Sequence, residues 1–221
     1  MISKGFFITF EGGEGSGKST LIDQVAETLT ARGLNVVKTR EPGGTRLGEA
    51  IRNLLLSPAA DHTIGSQAEL LLFLAARSQH IEELIRPSLE VGKVVLCDRF
   101  NDSTIAYQGA ARNLDTKYVQ RLCQMVCSNI EPQLTLFLDV DPKEGLLRSQ
   151  KLDKEHAVSG KFDRIESEKI EFHERVLGAF RALARKEPFR IYCIDASKSR
   201  ETVYKEAMRA IDELILLPAK K

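Results

Sequence analysis

Residues 12–19 have the types and the spacing that bind a chain of phosphates. They read Gly-Gly-Glu-Gly-Ser-Gly-Lys-Ser, the pattern G-x-x-x-x-G-K-[ST] of a P-loop. Glycines allow the backbone to approach an anion closely, so that successive N–H groups bind its oxygens. Lys18 is placed to reach the β and γ phosphates, and the Ser19 hydroxyl to bind Mg²⁺. The predicted nucleotide-binding residues are Gly12, Gly13, Glu14, Gly15, Ser16, Gly17, Lys18, Ser19 and Thr20.

An acidic and a basic residue follow a second apolar run. Residues 93–98 have the pattern of a buried parallel strand that ends in Asp98, and Arg99 comes next. In doubly wound folds such strand ends face the ligand. Asp98 is therefore predicted to join Ser19 in the Mg²⁺ shell, the alternative being a surface ion pair. Arg99 is predicted to neutralise charge during phosphoryl transfer, which makes Lys18, Asp98 and Arg99 candidate catalytic residues.

These groups need a sheet that brings strand ends together. Apolar runs predict strands at residues 6–10, 34–39, 93–98, 134–140 and 190–195. Helical patterns lie between them, so strands and helices alternate along the chain. This alternation predicts an α/β fold with about five parallel strands and helices on both faces.

Further signals set the expected boundaries of the helices. Gly33 is predicted to cap the helix after the P-loop, and Asp115 to cap a helix that runs to residue 129. The long helix from Gln67 is expected to end at Pro87. Residues 100–109 are predicted to form a loop. A polar surface segment is expected at residues 151–161, followed by a helix over 163–186.

Composition limits the class of protein. With 221 residues and no internal linker, one domain over 1–221 is expected. The 32 basic and 31 acidic residues argue against a nucleic-acid binder or a polybasic membrane protein. No signal peptide or membrane span is recognised, which predicts a cytoplasmic location. The cysteines, predicted to be buried free thiols, are Cys97, Cys123, Cys127 and Cys193.

The stretch over residues 98–109 resembles the signature D-R-[YF]-x-x-S-x-x-A-Y-Q-G of thymidylate kinases. Residues 10–15 and the turn over residues 39–45 resemble the same family. On periodicity alone Phe73 is a core residue and Arg77 a surface residue. The resemblance instead pairs them in the substrate site, because they have the family's spacing.

The resemblance implies transfer of the γ-phosphoryl group of ATP to dTMP, giving dTDP. It also implies a P-loop nucleoside-monophosphate-kinase fold and a homodimer. Phe73 is expected against the thymine ring, Arg77 on its carbonyl edge and Tyr107 near C2′ of the sugar. The residues expected to bind dTMP are Glu14, Pro42, Arg52, Phe73, Arg77, Arg99, Ser103, Thr104, Tyr107 and Gln108.

The variable P-loop positions carry no basic residue, which is similar to the bacterial pattern with arginines in a lid. The lid is expected at about residues 148–162, with Arg148 as its catalytic cation. Lysines stand where the family has arginines, which leaves open whether the phosphoryl group meets Arg148, Lys151, Lys154, Lys161 or Arg164. Residues 196–198 resemble the family's adenine-side loop.

Two other functions are weighed against this one. A kinase for another monophosphate or for a deoxynucleoside shares the P-loop, but Tyr107 and the pair of Phe73 and Arg77 favour dTMP. A nucleotide-dependent switch of the GTPase kind needs N-K-x-D and D-x-x-G segments, and the sequence has neither.

Overall fold

Parallel strands form a central sheet whose middle strand leads into the P-loop. The computed structural model describes residues 5–57, 63–155 and 164–216. In this part of the chain the strands are β1 (Phe6–Gly12), β2 (Val36–Arg40), β3 (Val94–Asp98), β4 (Leu134–Asp139) and β5 (Ile191–Asp195). Their spatial order is β2-β3-β1-β4-β5, and every neighbouring pair is parallel. The predicted α/β fold is confirmed.

Helices connect these strands. They are α1 (Lys18–Ala31), α2 (Arg46–Leu56), α3 (Ser66–His80), α4 (Arg86–Glu90), α5 (Asn101–Thr104), α6 (Thr116–Cys127), α7 (Pro142–Glu155), α8 (Ile170–Lys186) and α9 (Arg200–Leu216). Two π-helical segments, Ile81–Ile85 and Ile105–Ala111, continue α3 and α5. Among the described residues, no helix has both the length and the apolar composition that are needed to cross a bilayer.

Side chains alternate across β1 and so contribute to both faces of the sheet. Ile8 and Phe10 are fully buried in a cluster that includes residues of α1 and α9. Phe7 points to the opposite face, where it meets Phe100 edge to face at 4.9 Å. Glu11 lies on that same face, near the carboxyl end of the strand. Burial on both sides fixes the end of β1, from which the P-loop starts.

The prediction of a loop over residues 100–109 is wrong. Residues 101–111 are helical, and the N–H of Arg112 donates to the carbonyl of Tyr107 at 2.9 Å, the five-residue spacing of a π-turn. Asp102, Thr104 and Gln108 are buried there. Because buried polar residues break the amphipathic pattern, the sequence does not reveal this helix.

Two predicted helix boundaries are also wrong. The helix from Ser66 does not end at Pro87, because the wide π-turn before it accommodates a residue without an N–H and the chain stays helical to Glu90. The later helix begins at Ile170 and not at residue 163. Arg164, expected in the first turn of this helix, instead donates its N–H to the carbonyl of Leu56 at 3.2 Å.

The predicted caps are confirmed, and the prediction for the cysteines is partly confirmed. Asp115 accepts a hydrogen bond from the N–H of Tyr118 at 3.0 Å, and Gly33, with φ of 84°, follows the end of α1. Cys97, Cys123 and Cys127 are buried free thiols, whereas Cys193 is exposed. It lies on β5, which is an edge strand of the sheet.

Candidate active site

The P-loop has the left-handed backbone that its glycines predict. Gly15 and Gly17 have φ of 62° and 91°, where a residue with a Cβ is strained. A Cβ on Gly15 would also collide with the backbone carbonyl of Gly145 in α7. Lys18 lies across the loop and donates to the carbonyls of Gly12 and Gly13 at 3.1 and 2.8 Å. The loop is thus an anion-binding turn with a lysine at its centre.

Ser19, in the first turn of α1, and Asp98, at the end of β3, come together as predicted. Phe10 of β1 pairs with Asp98 of β3, and the Ser19 hydroxyl donates to Oδ2 of Asp98 at 3.2 Å. Oδ1 of Asp98 is buried and has no hydrogen-bond partner among the described residues. Such an oxygen beside a hydroxyl suits Mg²⁺, which is typically bound through one or two carboxylates with waters and phosphates. No cluster of three acidic, histidine or cysteine ligands occurs in the described ranges.

A cavity of about 330 Å³ opens beside the P-loop at the carboxyl edge of the sheet. All of the residues that the sequence predicts to bind dTMP line it. They are Glu14, Pro42, Arg52, Phe73, Arg77, Arg99, Ser103, Thr104, Tyr107 and Gln108. From the P-loop itself, residues 14–20 line the cavity, while Gly12 and Gly13 do not. The predicted set is therefore brought together in one place.

Glu14, Arg99 and Tyr107 form a connected group in this cavity. The Arg99 guanidinium donates to Glu14 Oε1 at 2.7 Å, and the Tyr107 hydroxyl donates to the same oxygen at 3.0 Å. The guanidinium also lies over the Tyr107 ring, 5.0 Å from its centre. Burial alone would raise the pKa of Glu14, but Arg99 and Lys18 lower it to about 2. Glu14 is therefore a carboxylate at neutral pH.

Arg77 is buried rather than exposed, and a fixed set of partners orients it. Its side chain is 2% exposed, and Nε donates to Glu41 at 2.6 Å while Nη2 donates to Thr104 at 2.9 Å. The second oxygen of Glu41 lies 2.9 Å from Nδ1 of His80, whose Nε2 lies 2.6 Å from the Thr39 hydroxyl. This chain of contacts holds the guanidinium at the wall of the cavity.

Glu11 supports the segment that carries Arg99. Its carboxyl group is fully buried and accepts from the N–H of Phe100 at 2.8 Å and from the Ser103 hydroxyl at 2.5 Å. Burial and the nearby Asp102 raise the pKa of Glu11. Since Ser103 also accepts from Arg99 at 3.2 Å, Glu11 positions Arg99 through Ser103.

The proposed lid cations that the structure describes fall into two places. Arg148 lines a second cavity of about 460 Å³ with Lys151 and Lys198, and it donates to the Ala196 carbonyl at 2.8 Å and to Glu144. Arg164 lines neither of these two cavities, and its guanidinium donates to Glu69 and to the Leu55 carbonyl. The side chain of Lys154 and residue Lys161 lie outside the described part of the chain. The second cavity shares Gly15, Ser16, Gly17 and Thr20 with the first.

The sequence alone does not predict the roles of four buried residues, Glu11, Glu41, Glu69 and His80. Each is buried and polar and makes contacts to residues that line the cavity. The spacing in the sequence could have indicated Glu69. It precedes Phe73 and Arg77 at intervals of four residues, which places all three on one helix face. Glu11 and Glu41 lie within the stretches 10–15 and 39–45 that resemble the family, but their partners are distant in the sequence, so the sequence does not reveal what they bind.

The chain is similar to known proteins along nearly its whole length. Residues 10–207 match the sequence profile of the family described as Thymidylate kinase. A thymidylate kinase of Protochlamydia amoebophila (strain UWE25) is 62% identical over 210 residues, covering 95% of this chain and 93% of that protein. One from Desulfovibrio desulfuricans (strain ATCC 27774 / DSM 6949 / MB) is 49% identical, covering 93% and 94%. The crystal structure of thymidylate kinase from Ehrlichia chaffeensis matches with a TM-score of 0.74 and 36% identity, covering 94% of this chain and 99% of that chain.

Proposed function

Since the chain belongs to the thymidylate kinase family, we propose that it phosphorylates dTMP to dTDP at the cavity beside the P-loop, with ATP as the donor. The protein is a nucleoside monophosphate kinase with the P-loop fold of that class. The reaction is inferred from the family membership, and the contacts in the two cavities support the assignment of individual residues.

Two cavities meet at the P-loop, and this arrangement supports separate binding sites for dTMP and ATP. The cavity of about 330 Å³, lined by Phe73 and Tyr107, is assigned to dTMP. The cavity of about 460 Å³, lined by Arg148 and Lys198, is assigned to the adenosine end of ATP. Because both include Gly15 to Gly17, phosphates bound by the loop's N–H groups lie between a donor site and an acceptor site.

The walls of the first cavity suit a deoxythymidine. The half-buried ring of Phe73 offers a flat apolar face for a base, and Arg77, fixed by Glu41 and Thr104, offers donors for carbonyl oxygens. Tyr107 is held by its hydrogen bond to Glu14, which makes its ring a rigid wall. A wall of this kind beside C2′ excludes a ribose hydroxyl by steric contact.

The charged groups suit transfer between two phosphates. Lys18 and Arg99 lie on the P-loop side of the cavity, where they neutralise the donor and acceptor phosphates. Arg148 adds charge from the second cavity. No general base is needed, because an oxygen of the dTMP phosphate attacks the γ-phosphorus as the bond to the ADP oxygen breaks. Positioning and charge neutralisation therefore account for the catalysis.

The residues of the P-loop and of β3 fit a magnesium ion. Ser19 supplies a hydroxyl and Asp98 a buried unpaired oxygen, so this pair would hold Mg²⁺ directly or through water. When bound, the ion supplies positive charge to the β and γ phosphates. We propose Mg²⁺ as the cofactor on this basis.

Binding of dTMP tests the assignment of the cavity. Phe73→Leu removes the stacking surface. We therefore expect its dissociation constant for dTMP, measured by titration calorimetry, to be about tenfold higher than that of the wild type, which corresponds to a loss of roughly 1.4 kcal/mol of binding free energy. Phe189→Leu is the matched control, because Phe189 is fully exposed and lies outside the cavity. Equal affinities of the wild type and Phe73→Leu would remove dTMP from this cavity.

A homodimer is proposed from the apolar surface of three neighbouring helices. Leu54 of α2, Leu71 of α3 and Met125 of α6 are exposed, at 42%, 51% and 69%. Gln67, one turn before Leu71, donates to the hydroxyl of Tyr118 on α6, which brings these two helices side by side. Exposed apolar side chains on neighbouring helices, here called the apolar face, favour burial against a second copy.

Two finer assignments complete the proposal. Residues 148–162 are proposed to act as a lid over the phosphates, and the described part of this segment, residues 148–155, is the end of α7. The cytoplasm is proposed as the location, supported by free cysteines, which are typical of reducing compartments.

A further inference from the structure

Glu69 joins three separate parts of the cavity wall. Its carboxylate lies on α3 and is 1% exposed. Oε1 accepts hydrogen bonds from Gln108 Nε2 at 2.8 Å and from Arg112 Nε at 3.1 Å. Oε2 accepts from Arg164 Nη2. One buried carboxylate therefore connects α3, the π-helical segment and the segment before α8.

The charges in this cluster depend on one another. Burial alone would raise the pKa of Glu69, but hydrogen bonds from Gln108 and Arg164 hold it below its ordinary value, so the group is an anion. Arg112 has a second acid, Glu168, and lies 4.6 Å from the centre of the Phe172 ring. Removing one member of a buried charged cluster leaves the others uncompensated, which is costly.

Two of the donors to Glu69, Gln108 and Arg164, connect it to the cavity. A carboxylate can only accept hydrogen bonds, so Gln108 must turn its NH₂ toward Glu69 and its amide orientation is fixed. Arg164 donates from Nε to the Leu55 carbonyl at 2.9 Å and from its backbone to the Leu56 carbonyl at 3.2 Å. Leu56 and Ile165, which follow these contacts, both line the cavity.

We propose that Glu69 is a positioning residue for the acceptor cavity, the cavity of about 330 Å³ that is assigned to dTMP. We further propose that Arg164 anchors the wall of this cavity instead of reaching the transferring phosphoryl group. The inference rests on the proposed assignment of the cavity to dTMP. On this account, Glu69 and Arg164 act as a unit that sets the position of Gln108 and of Leu56 and Ile165.

Steady-state kinetics of Glu69→Gln, Arg164→Gln and the double variant test this inference. Loss of the anchor is expected to raise the KM for dTMP about tenfold while kcat changes by less than about threefold, because binding is lost and not a transition-state contact. The KM for ATP should stay near its wild-type value. Since both changes break the same contact, the double variant should resemble Glu69→Gln alone.

The opposite pattern would overturn the inference. A cation that touches the phosphoryl group in the transition state is worth on the order of a thousandfold in kcat. A loss of that kind in Arg164→Gln, with an unchanged KM for dTMP and additive effects in the double variant, would return Arg164 to the catalytic cations. If Glu69→Gln does not fold, the kcat and KM of Arg164→Gln decide, since its side chain is 22% exposed and less buried than that of Glu69.

Two further variants separate this inference from the assignment of the cavity. Glu168→Gln is the matched control, because it removes an acid from Arg112 but leaves the contacts of Glu69 to Gln108 and Arg164. Its KM for dTMP should stay within about twofold of the wild type, because Gln108 and Arg164 keep their hydrogen bonds to Glu69. Phe73→Leu reports on the cavity alone. An effect of Phe73→Leu without one of Arg164→Gln contradicts the anchor, whereas no effect of Phe73→Leu contradicts the cavity assignment.

Discussion

The guanidinium of Arg99 lies 2.7 Å from the carboxylate of Glu14, although the two residues are 85 positions apart in the chain. Glu14 belongs to the P-loop after β1, and Arg99 follows β3, the strand beside it. This ion pair joins the phosphate-binding loop to the wall of the acceptor cavity.

Acid should weaken the fold through Glu14. Its folded pKa is about 2, below its ordinary value of 4.5, so its stabilising effect is complete above pH 4.5 and is lost as the pH falls toward 2. The free energy of unfolding should be measured in urea from pH 2.5 to 7. At neutral pH it should be higher for the wild type than for Glu14→Gln by up to about 3 kcal/mol. The difference should shrink with acidification, and a difference independent of pH would contradict the ion pair.

Tyr107 should select the sugar by its ring and not by its hydroxyl. Tyr107→Ala is expected to lower the preference for dTMP over ribothymidine monophosphate about tenfold in kcat/KM, because a steric wall is removed. Tyr107→Phe keeps the ring and should keep the preference. A loss of preference in Tyr107→Phe equal to that in Tyr107→Ala would assign the selection to the hydroxyl bond with Glu14 instead.

Asp98 should set the magnesium requirement. Asp98→Asn removes the charge of the unpaired oxygen, and we expect half-maximal activity at a Mg²⁺ concentration roughly tenfold higher. Asp139→Asn is the matched control, since Asp139 also ends a parallel strand but is paired with Arg181 away from both cavities. If titration with MgCl₂ gives equal midpoints for the wild type and Asp98→Asn, the proposed metal site is wrong.

Arg148 should affect turnover more than dTMP binding. It lines the cavity assigned to ATP and is absent from the lining of the dTMP cavity. Arg148→Ala is therefore expected to lower kcat about a hundredfold or more while the dissociation constant for dTMP stays near that of the wild type. Unchanged kcat in steady-state assays would exclude Arg148 from catalysis.

The apolar face should hold two copies together. Leu71→Glu places a charge on this face, and light scattering after gel filtration is expected to give the mass of a monomer for this variant and of a dimer for the wild type. Val91→Glu is the control, because Val91 is 62% exposed and follows α4, outside the helices that form the face. A monomeric wild type would contradict the proposed homodimer.

The sequence predicts this site where chemistry is local. The glycines and Lys18 of the P-loop are adjacent in the chain, and Asp98 ends an apolar strand, so the fold rules alone bring them together. The helix over residues 101–111 escapes prediction because its buried residues include Asp102 and Gln108. Pattern rules assume that buried residues are apolar, and that assumption fails where polar groups serve a cavity.

Partners that are distant in the sequence account for the rest. Arg164 is a candidate phosphoryl-binding cation by its position just after the lid, yet its acid is Glu69, 95 residues away. Arg77 has the spacing of a surface residue, yet it is buried because Glu41, 36 residues away, supplies the opposite charge. Neither pairing has a local signature, so only the fold reveals it.

The central proposal, phosphorylation of dTMP, is tested by the release of ADP from ATP and Mg²⁺ with different monophosphates. The wild type should be offered dTMP, dUMP, UMP, dGMP and AMP separately, at matched concentrations. We expect dTMP to stimulate ADP release far more than UMP or AMP does, because Phe73 and Arg77 are assigned to the thymine and Tyr107 to the exclusion of a ribose hydroxyl. Equal rates with and without dTMP, or equal stimulation by UMP and dTMP, would contradict it.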